Sequence, residues 1–425
     1  MPDTDPADGS TSDLTRLIGQ LWGTDAGGRI VGRVGGSAPA GYEVVERYAA
    51  LPRQARAQVL VPAGRPQLAR RALLLYNGLR IPRTRFARRV LAEAIGLGLV
   101  GTSRRDLVLV CARLGDAGDE GEALSLLEHL RRTLGVSSLE MSPAVPSAAP
   151  NSKPTALLLD AAGAPRGYLK LGWNVATSRM VRNEAQVLGR ARKLASLDVP
   201  RVLHEGDWEG HRLLVSSPLP ESRPVKQVPS RLPPLALTAE VAGMSAVHEA
   251  ELGASRYWGE VQDRIAGVEA TTREVALWQP LTAFVSALER RCAGAVLTFG
   301  AWHGDWVPWN MAWFGGRLVV WDWEHSSDAV PLGFDALHYV FQHAFIYRRE
   351  GLASALGAVD QRAGGLLGGL RVRGQLSVTS LYLLEQVLRS AETARDGGGW
   401  NPRLLGPVPE VLAARTELLR SPVSS

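Results

Sequence analysis

Three scarcities narrow the reading of this 425-residue chain before any motif is considered. Cysteine occurs only twice, at Cys111 and Cys292. Two thiols make neither a disulfide framework nor a four-ligand zinc site, so a reducing, cytoplasmic setting is expected. Apolar runs are short. None approaches the ~20 residues of a membrane-spanning helix, and the start, MPDTDPADGSTSD, has neither the basic nor the apolar region of a secretory signal. Lysine is the third scarcity: Lys153, Lys170, Lys193 and Lys226 are the full set. Arginine carries nearly all the positive charge, so each remaining lysine is informative. No internal repeat is visible, which removes the solenoid and propeller architectures.

What is present describes an ordinary globular protein, with 45% hydrophobic and 21% charged residues. Its length suits two or three domains. The net charge is +6, unevenly spread. Between Leu51 and Arg113 thirteen arginines face two acids, Glu93 and Asp106, a local balance of +11 that leaves −5 for the rest. That segment is read as a solvated basic face or as a surface for polyanions. Anionic lipid and polyanionic glycan fit better than nucleic acid, because no helix-turn-helix, zinc or RNA-binding signature accompanies it.

The most informative stretch is WHGDWVPWNMAWFGGRLVVWDWE, from Trp302 to Glu324. Met311–Phe314 and Leu318–Trp321 are short apolar runs, and Gly315-Gly316 is a hairpin turn signal. Folding the hairpin about residue 316 sets Asn310 opposite Asp322, within the ~4.5–5.5 Å of a cross-strand pair. Two oxygen donors so close are half of a site for a hard cation such as Mg²⁺. Asp305 sits in the loop just before them, placed to meet a substrate hydroxyl. Trp313, Trp321 and Trp323 alternate along the strands as core residues do. Trp306 and Trp309 lie inside the loop, where they either pack on helices or line an acceptor site.

The spacing H-x-D-x-x-x-x-N over His303, Asp305 and Asn310, followed by Asp-Trp-Glu at 322–324, resembles the aminoglycoside phosphotransferase and choline kinase family of the protein-kinase-like fold. The resemblance implies that Asp305 is the catalytic base and that Asn310 and Asp322 hold Mg²⁺. It implies supporting roles for His303 and Glu324, and for Asp335 in FDALH as a brace of the catalytic loop. Asp335 follows Asp322 by only thirteen positions. With no APE-like motif, that spacing disfavours a protein kinase with a phosphorylated activation segment.

Earlier in the chain, strands at Leu139–Val145, Thr155–Leu159 and Gly167–Leu171 resemble the start of a kinase small lobe, without a G-x-G-x-x-G loop. Ser147–Lys153, with Ser152 and Lys153, is either a plain hairpin turn or a cover for the ATP phosphates. Ser178–Ala195 reads as a helix that carries Glu184 within its apolar stripe. A carboxylate there is costly unless paired. Lys170 is the expected partner and would then face the α- and β-phosphates. Val202–His204 and Arg212–Val215 read as a hairpin before a hinge at Ser216–Pro220. Thr238–Ala293 and residues 340–420 read as helical, with a Gly-rich break at Gly364–Gly369.

In the N-terminal part, residues 1–27 read as a disordered or loosely helical leader. Strands are expected at Arg29–Val34, Tyr42–Tyr48, Gln58–Val61 and Leu107–Cys111. Helices are expected at Gln67–Tyr76, Arg83–Ile95 and Glu120–Leu134, the second with Phe86, Val90 and Ala94 on its apolar face. The expected whole is an α+β chain. It has an accessory basic domain over 1–135, a small nucleotide-binding lobe over 136–222 and a large helical catalytic lobe over 223–425. The expected activity is an ATP-dependent (or GTP-dependent) small-molecule kinase acting on an acceptor hydroxyl with Mg²⁺. Its rivals are a kinase of envelope or polysaccharide intermediates at the membrane surface and a nucleotide-binding pseudokinase scaffold.

Overall fold

The structure is a computed structural model that describes residues 6–24, 28–75, 82–99, 106–114, 125–146, 152–220, 226–227 and 232–421. The chain divides into two compact units. Met1–Trp173, Thr177–Arg182 and Arg201–Arg223 form the first; Asn174–Ala176, Asn183–Pro200 and Pro224–Ser425 form the second.

The first unit is built on one antiparallel sheet. Its strands are β1 (Ile30–Val34), β2 (Tyr42–Leu51), β3 (Val59–Pro62), β4 (Leu107–Arg113), β5 (Glu140–Ala144), β6 (Thr155–Leu159), β7 (Pro165–Gly172), β9 (Val202–Trp208) and β10 (His211–Ser216). Their order is β1-β4-β2-β3-β5-β6-β7-β10-β9. The last five are the small-lobe strands, and β6 matches the sequence reading to the residue. The other four extend the same sheet: Val59 of β3 pairs with Ala144 of β5, Val145 N–H donates to Gln58 O at 3.1 Å, and Ser142 Oγ donates to Leu60 O at 2.6 Å.

Helix α1 (Pro6–Trp22) corrects the expected loose leader. Leu14, Leu17, Ile18 and Leu21 recur at helical spacing and are buried with Val108, Val110 and Leu130 in one core. At about 1.5–3 kcal/mol for each buried side chain, that stripe is enough to hold the segment down. Helices α2 (Pro66–Leu75), α3 (Pro82–Gly96) and α4 (Leu126–Leu134) complete the unit. The helix expected from Glu120 starts at Leu126, because Ser125 before it is extended; 115–124 lie outside the described residues. Ser125 caps α4 by accepting Glu128 N–H, and Gly135 closes it with φ 65°.

Helix α3 presents a different face from the one expected. Ala92 and Ile95 pack with Ala69 and Ala72 of α2, and the fork of Arg70 grips Glu93 at 2.8 and 2.9 Å. This turns Phe86 and Val90 outward, 72% and 53% exposed. Small residues allow the close approach of the two helices, and the ion pair fixes the rotation.

Helix α5 (Val175–Ala191) has residues in both units. In the second unit β8 (Leu197–Asp198), β11 (Lys226–Gln227), β14 (Met311–Phe314) and β15 (Arg317–Val320) form a sheet in the order β11-β14-β15-β8. A second sheet takes β12 (His248–Glu251), β13 (Val296–Trp302) and β16 (Ser327–Pro331). Strand β12 interrupts the stretch read as wholly helical between Thr238 and Ala293, because its partner β13 lies beyond that window.

The helices are α6 (Leu235–Ala242), α7 (Arg256–Gly267), α8 (Glu269–Glu274), α9 (Trp278–Cys292), α10 (Phe334–Gln342), α11 (Leu352–Gly369), α12 (Gln375–Arg395), α13 (Pro402–Leu405) and α14 (Val408–Arg420). Helix α11 runs through the glycines expected to break it. Its buried stripe of Leu352, Leu356, Val359, Ala363 and Leu367 outweighs the ~1 kcal/mol that each interior glycine costs. Among the described residues, no helix is long and apolar enough to cross a membrane. Both cysteines are free and buried.

Candidate functional site

The site is assembled in the second unit on the loop between β13 and β14. Its hairpin has the expected first strand, a second strand at Arg317–Val320 rather than Leu318–Trp321, and a register one residue different. Phe314 pairs with Arg317 and Met311 with Val320. The turn is therefore the two residues Gly315 and Gly316, both at positive φ, as a primed turn requires. The symmetry axis falls between them rather than on 316. Trp321 N–H donates to Asn310 O at 3.0 Å, so the residue facing Asn310 is Trp321. Asp322 follows in a left-handed conformation, φ 63°.

The loop is fixed from below by Asp335 in the first turn of α10. Its two carboxylate oxygens accept the N–H groups of His303 at 2.8 Å and Gly304 at 3.1 Å. Burial pushes its carboxyl up to about 7, against those two hydrogen bonds and the charge of Arg389. His303 is wholly buried. Its Nε2 donates to Trp321 O at 3.0 Å, and its Nδ1 accepts Asp305 N–H at 3.1 Å. The ring packs 4.4 Å from that of Trp323, and burial pushes its pKa down to about 4. It is a neutral strut joining loop and hairpin. Gly304 is required as glycine: φ is 83°, and a Cβ there would lie 2.1 Å from His325 O.

Asp305 is held at both oxygens. Oδ2 accepts Asn310 Nδ2 at 2.7 Å and Oδ1 faces His338 Nε2 at 3.2 Å. Burial raises its pKa, but the hydrogen bond and charge of His338, with His325 and His303 behind, outweigh it and hold the carboxyl well below the usual range. Burial likewise pushes His338 down. Its Nδ1 accepts from Tyr382 Oη at 2.9 Å, which leaves Nε2 to carry the proton toward Asp305.

His338, Tyr382 and Arg389 escaped the sequence reading. Arg389 donates to Gly304 O at 2.7 Å and lies 4.7 Å over the Trp302 ring. Spacing carried a signal for each. His338 is one helical turn after Asp335 on α10, and Arg389 is two turns after Tyr382 on α12.

Both amide hydrogens of Asn310 point to Asp305, at its backbone oxygen (3.2 Å) and its carboxylate. This leaves Asn310 Oδ1 as the atom it can offer a cation. Glu184, Asp322 and Glu324 bring one carboxylate oxygen each within 4.8 Å of one another. Hard oxygen donors at that separation fit Mg²⁺ or Mn²⁺. Asn183, another residue unmarked by sequence, donates to Glu324 O at 3.0 Å and Ser326 O at 2.8 Å and so ties α5 to this segment. Trp306 is wholly buried beside His303, whereas Trp309 is 38% exposed. Trp313 and Trp321 are half-buried and Trp323 is fully buried.

The first unit carries the other residues singled out. Lys170 is buried on β7, where it pairs with Thr155 and Leu214. Ser152 and Lys153 are half-buried, and Ser152 O accepts Trp173 Nε1 at 2.9 Å. The rest of their loop, 147–151, lies outside the described residues.

Five strands of the first unit's sheet, a helix bearing a buried glutamate, a loop braced by Asp335 and a hairpin before a helical region make up an α+β, protein-kinase-like fold. No family model and no curated protein matches the chain. Solved structures similar to it are small-molecule phosphotransferases. A fructosamine-3-kinase-type protein of Haemophilus somnus is 14% identical over 70% of this chain and 97% of its own, TM-score 0.44. A thermostable mutant of the aminoglycoside phosphotransferase APH(4)-Ia is 15% identical over 71% and 100%, TM-score 0.43. The ethanolamine kinase of Plasmodium vivax is 10% identical over 67% and 82%, TM-score 0.39.

Proposed function

We propose that this chain is an ATP-dependent kinase that phosphorylates a hydroxyl of a small molecule. The observation that supports it most is the setting of Asp305: fixed at one oxygen by His338 and at the other by Asn310, on a loop braced by Asp335. A carboxylate held well below its usual range is a weak base. Asp305 therefore acts first by orienting the acceptor hydroxyl, and takes its proton only as the oxygen becomes acidic in the transition state. Positioning and electrostatics carry most of such a reaction.

Asn310, Asp322, Glu324 and Glu184 are the residues that would hold Mg²⁺. When bound, the ion would offset the negative charge on the transferred group. Lys170 is assigned to the nucleotide phosphates, with Lys153 and Ser152 beside them, and Trp309 to the acceptor side.

The test is nucleotide turnover over sugars, aminoglycosides and amino alcohols, with ATP and GTP in parallel. Stimulation by one acceptor class, lost in Asp305→Asn, is the expected result. Nucleotide binding without turnover on any acceptor would replace the enzyme by a scaffold.

The outward side of α3 favours a second reading, in which the acceptor is an envelope intermediate met at an anionic membrane. Phe86 and Val90, with Leu97 and Leu99 just beyond the helix (74% and 75% exposed), stand in the arginine-rich segment. The whole chain should then co-sediment with anionic but not neutral vesicles at low salt, and Phe86→Ser should release it. Equal sedimentation with both would end this reading.

A further inference from the structure

The first unit contains a cavity of about 800 Å³ bounded by β2, the end of β3, α4 and β5. Its construction turns on a bulge in β2. Val44 pairs with Cys111 and Glu46 with Val110, so Val45 is the extra residue. Plain alternation would keep Glu46 on the face of Val44, with Leu109 and Cys111. The bulge shifts the phase and puts it on the opposite face with Tyr48, Ala50 and Val110, on the main core. Bulges commonly re-aim a side chain, and here the one re-aimed is a carboxylate.

Tyr48 Oη donates to Glu46 at 2.5 Å. Ser125, the N-cap of α4, also reaches the carboxyl. The remaining oxygen, Oε1, is buried without a hydrogen-bond partner. An orphaned buried acceptor costs about 1–3 kcal/mol, and a position that only filled space would hold valine or leucine at no such cost. Burial pushes the carboxyl up, while Tyr48 and Ser125 work the other way.

The cavity wall has the opposite sign. Arg47, Arg65, Arg131 and Arg132 line it against two further acids, Glu128 and Glu140. Arg65 pairs with Glu140 at 2.6 Å and Arg132 with Glu128. Arg131 caps Leu139 O at 2.7 Å and lies 3.9 Å from Glu140. Four guanidinium groups disfavour a cationic ligand head at Glu46, so the missing donor is a neutral hydroxyl or amide N–H. The same guanidiniums suit a phosphate, and the volume suits one small molecule.

We infer that this cavity binds a phosphorylated polar metabolite, of sugar-phosphate or nucleotide size. Its neutral head donates to Glu46 Oε1 and its phosphate meets the arginine wall. The inference stands apart from the kinase reading, because no residue of the catalytic loop or hairpin takes part.

The test is calorimetric titration of the whole chain, with a chelator present to silence metal-dependent binding elsewhere. Glucose 6-phosphate and GMP are the two probes; glucose and inorganic phosphate are their halves. The expected result is saturable binding of at least one probe, tenfold or more tighter than either half. Glu46→Leu and Arg65→Gln should each weaken it at least tenfold. Glu46→Leu removes a buried charge and Arg65 is half-exposed, so both variants should fold. Absence of binding by both probes overturns the inference. So does binding that survives Glu46→Leu, which would place the ligand at another site.

Discussion

Replacing Asp335 by alanine should cost stability in acid and little in mild alkali. Two opposing quantities fix the outcome. The substitution strands two buried N–H groups, those of His303 and Gly304, at about 1–3 kcal/mol each, or about 2–6 kcal/mol together. It also removes a carboxyl whose pKa burial raises from 3.8 to about 7. A raised acid binds a proton more tightly in the folded chain than in the unfolded one. Its contribution is therefore intact below about 4 and is lost as pH rises toward 7, at roughly 1.4 kcal/mol per pH unit across that interval, about 4 kcal/mol in all. At pH 5 only about 1.6 kcal/mol of that loss has occurred, and Asp335→Ala should destabilise the second unit by the roughly 2–6 kcal/mol of the stranded amides less that amount. At pH 8 the relief of the buried charge should nearly cancel the stranded amides. Urea unfolding followed by tryptophan fluorescence at the two pH values measures this, since the loop and hairpin are rich in tryptophan. Activity should be lost at both, because the brace is gone. Equal destabilisation at pH 5 and pH 8 would refute the reasoning.

Asp305→Asn should leave nucleotide affinity nearly unchanged and lower kcat by orders of magnitude; retention of more than about a tenth of kcat, a loss under ~1.4 kcal/mol, would remove it from the essential role. Asp322→Ala should abolish the part of nucleotide affinity that depends on Mg²⁺, and identical titrations for wild type and variant would dissolve the carboxylate cluster as a metal site. Gly304→Ala drives a methyl into His325 O and should inactivate the enzyme and lower its Tm, so a fully active variant would contradict the loop conformation.

Much of the candidate site's loop was legible because its pattern is local. His303, Asp305 and Asn310 lie within eight residues of one another, and the glycine pair announced the hairpin. The register slipped by one because a two-residue turn has its axis between residues, a detail that composition does not carry. His338, Tyr382 and Arg389 carried only a weak spacing signal and were missed for another reason. His338 reaches Asp305 from α10, Arg389 reaches Gly304 from α12 and Tyr382 of α12 holds His338, and each alone reads as an ordinary helical residue. Phe86 and Val90 misled because α3 has two apolar faces, and the choice between them was made by α2, through Ala69, Ala72 and the grip of Arg70 on Glu93. The packed leader was missed because a helix of modest propensity owes its order to the core it covers.

The joining of β3 to β5 sets the order in which the chain can be completed. Tyr48, Ala50 and Leu60 share a core with Leu158, Leu171 and Val215, so the N-terminal strands cannot bury their inner face until β10 has been synthesised, about halfway along the chain. Until β5 emerges the polypeptide holds a half-sheet with an unpaired border at β3, the kind of edge that invites association with other chains. The same dependence runs in reverse during evolution. A deletion of the first 135 residues would bare the flank of β5 and strip Leu14, Leu17 and Val110 from the core of the remaining lobe, so this extension cannot be shed as a detachable module.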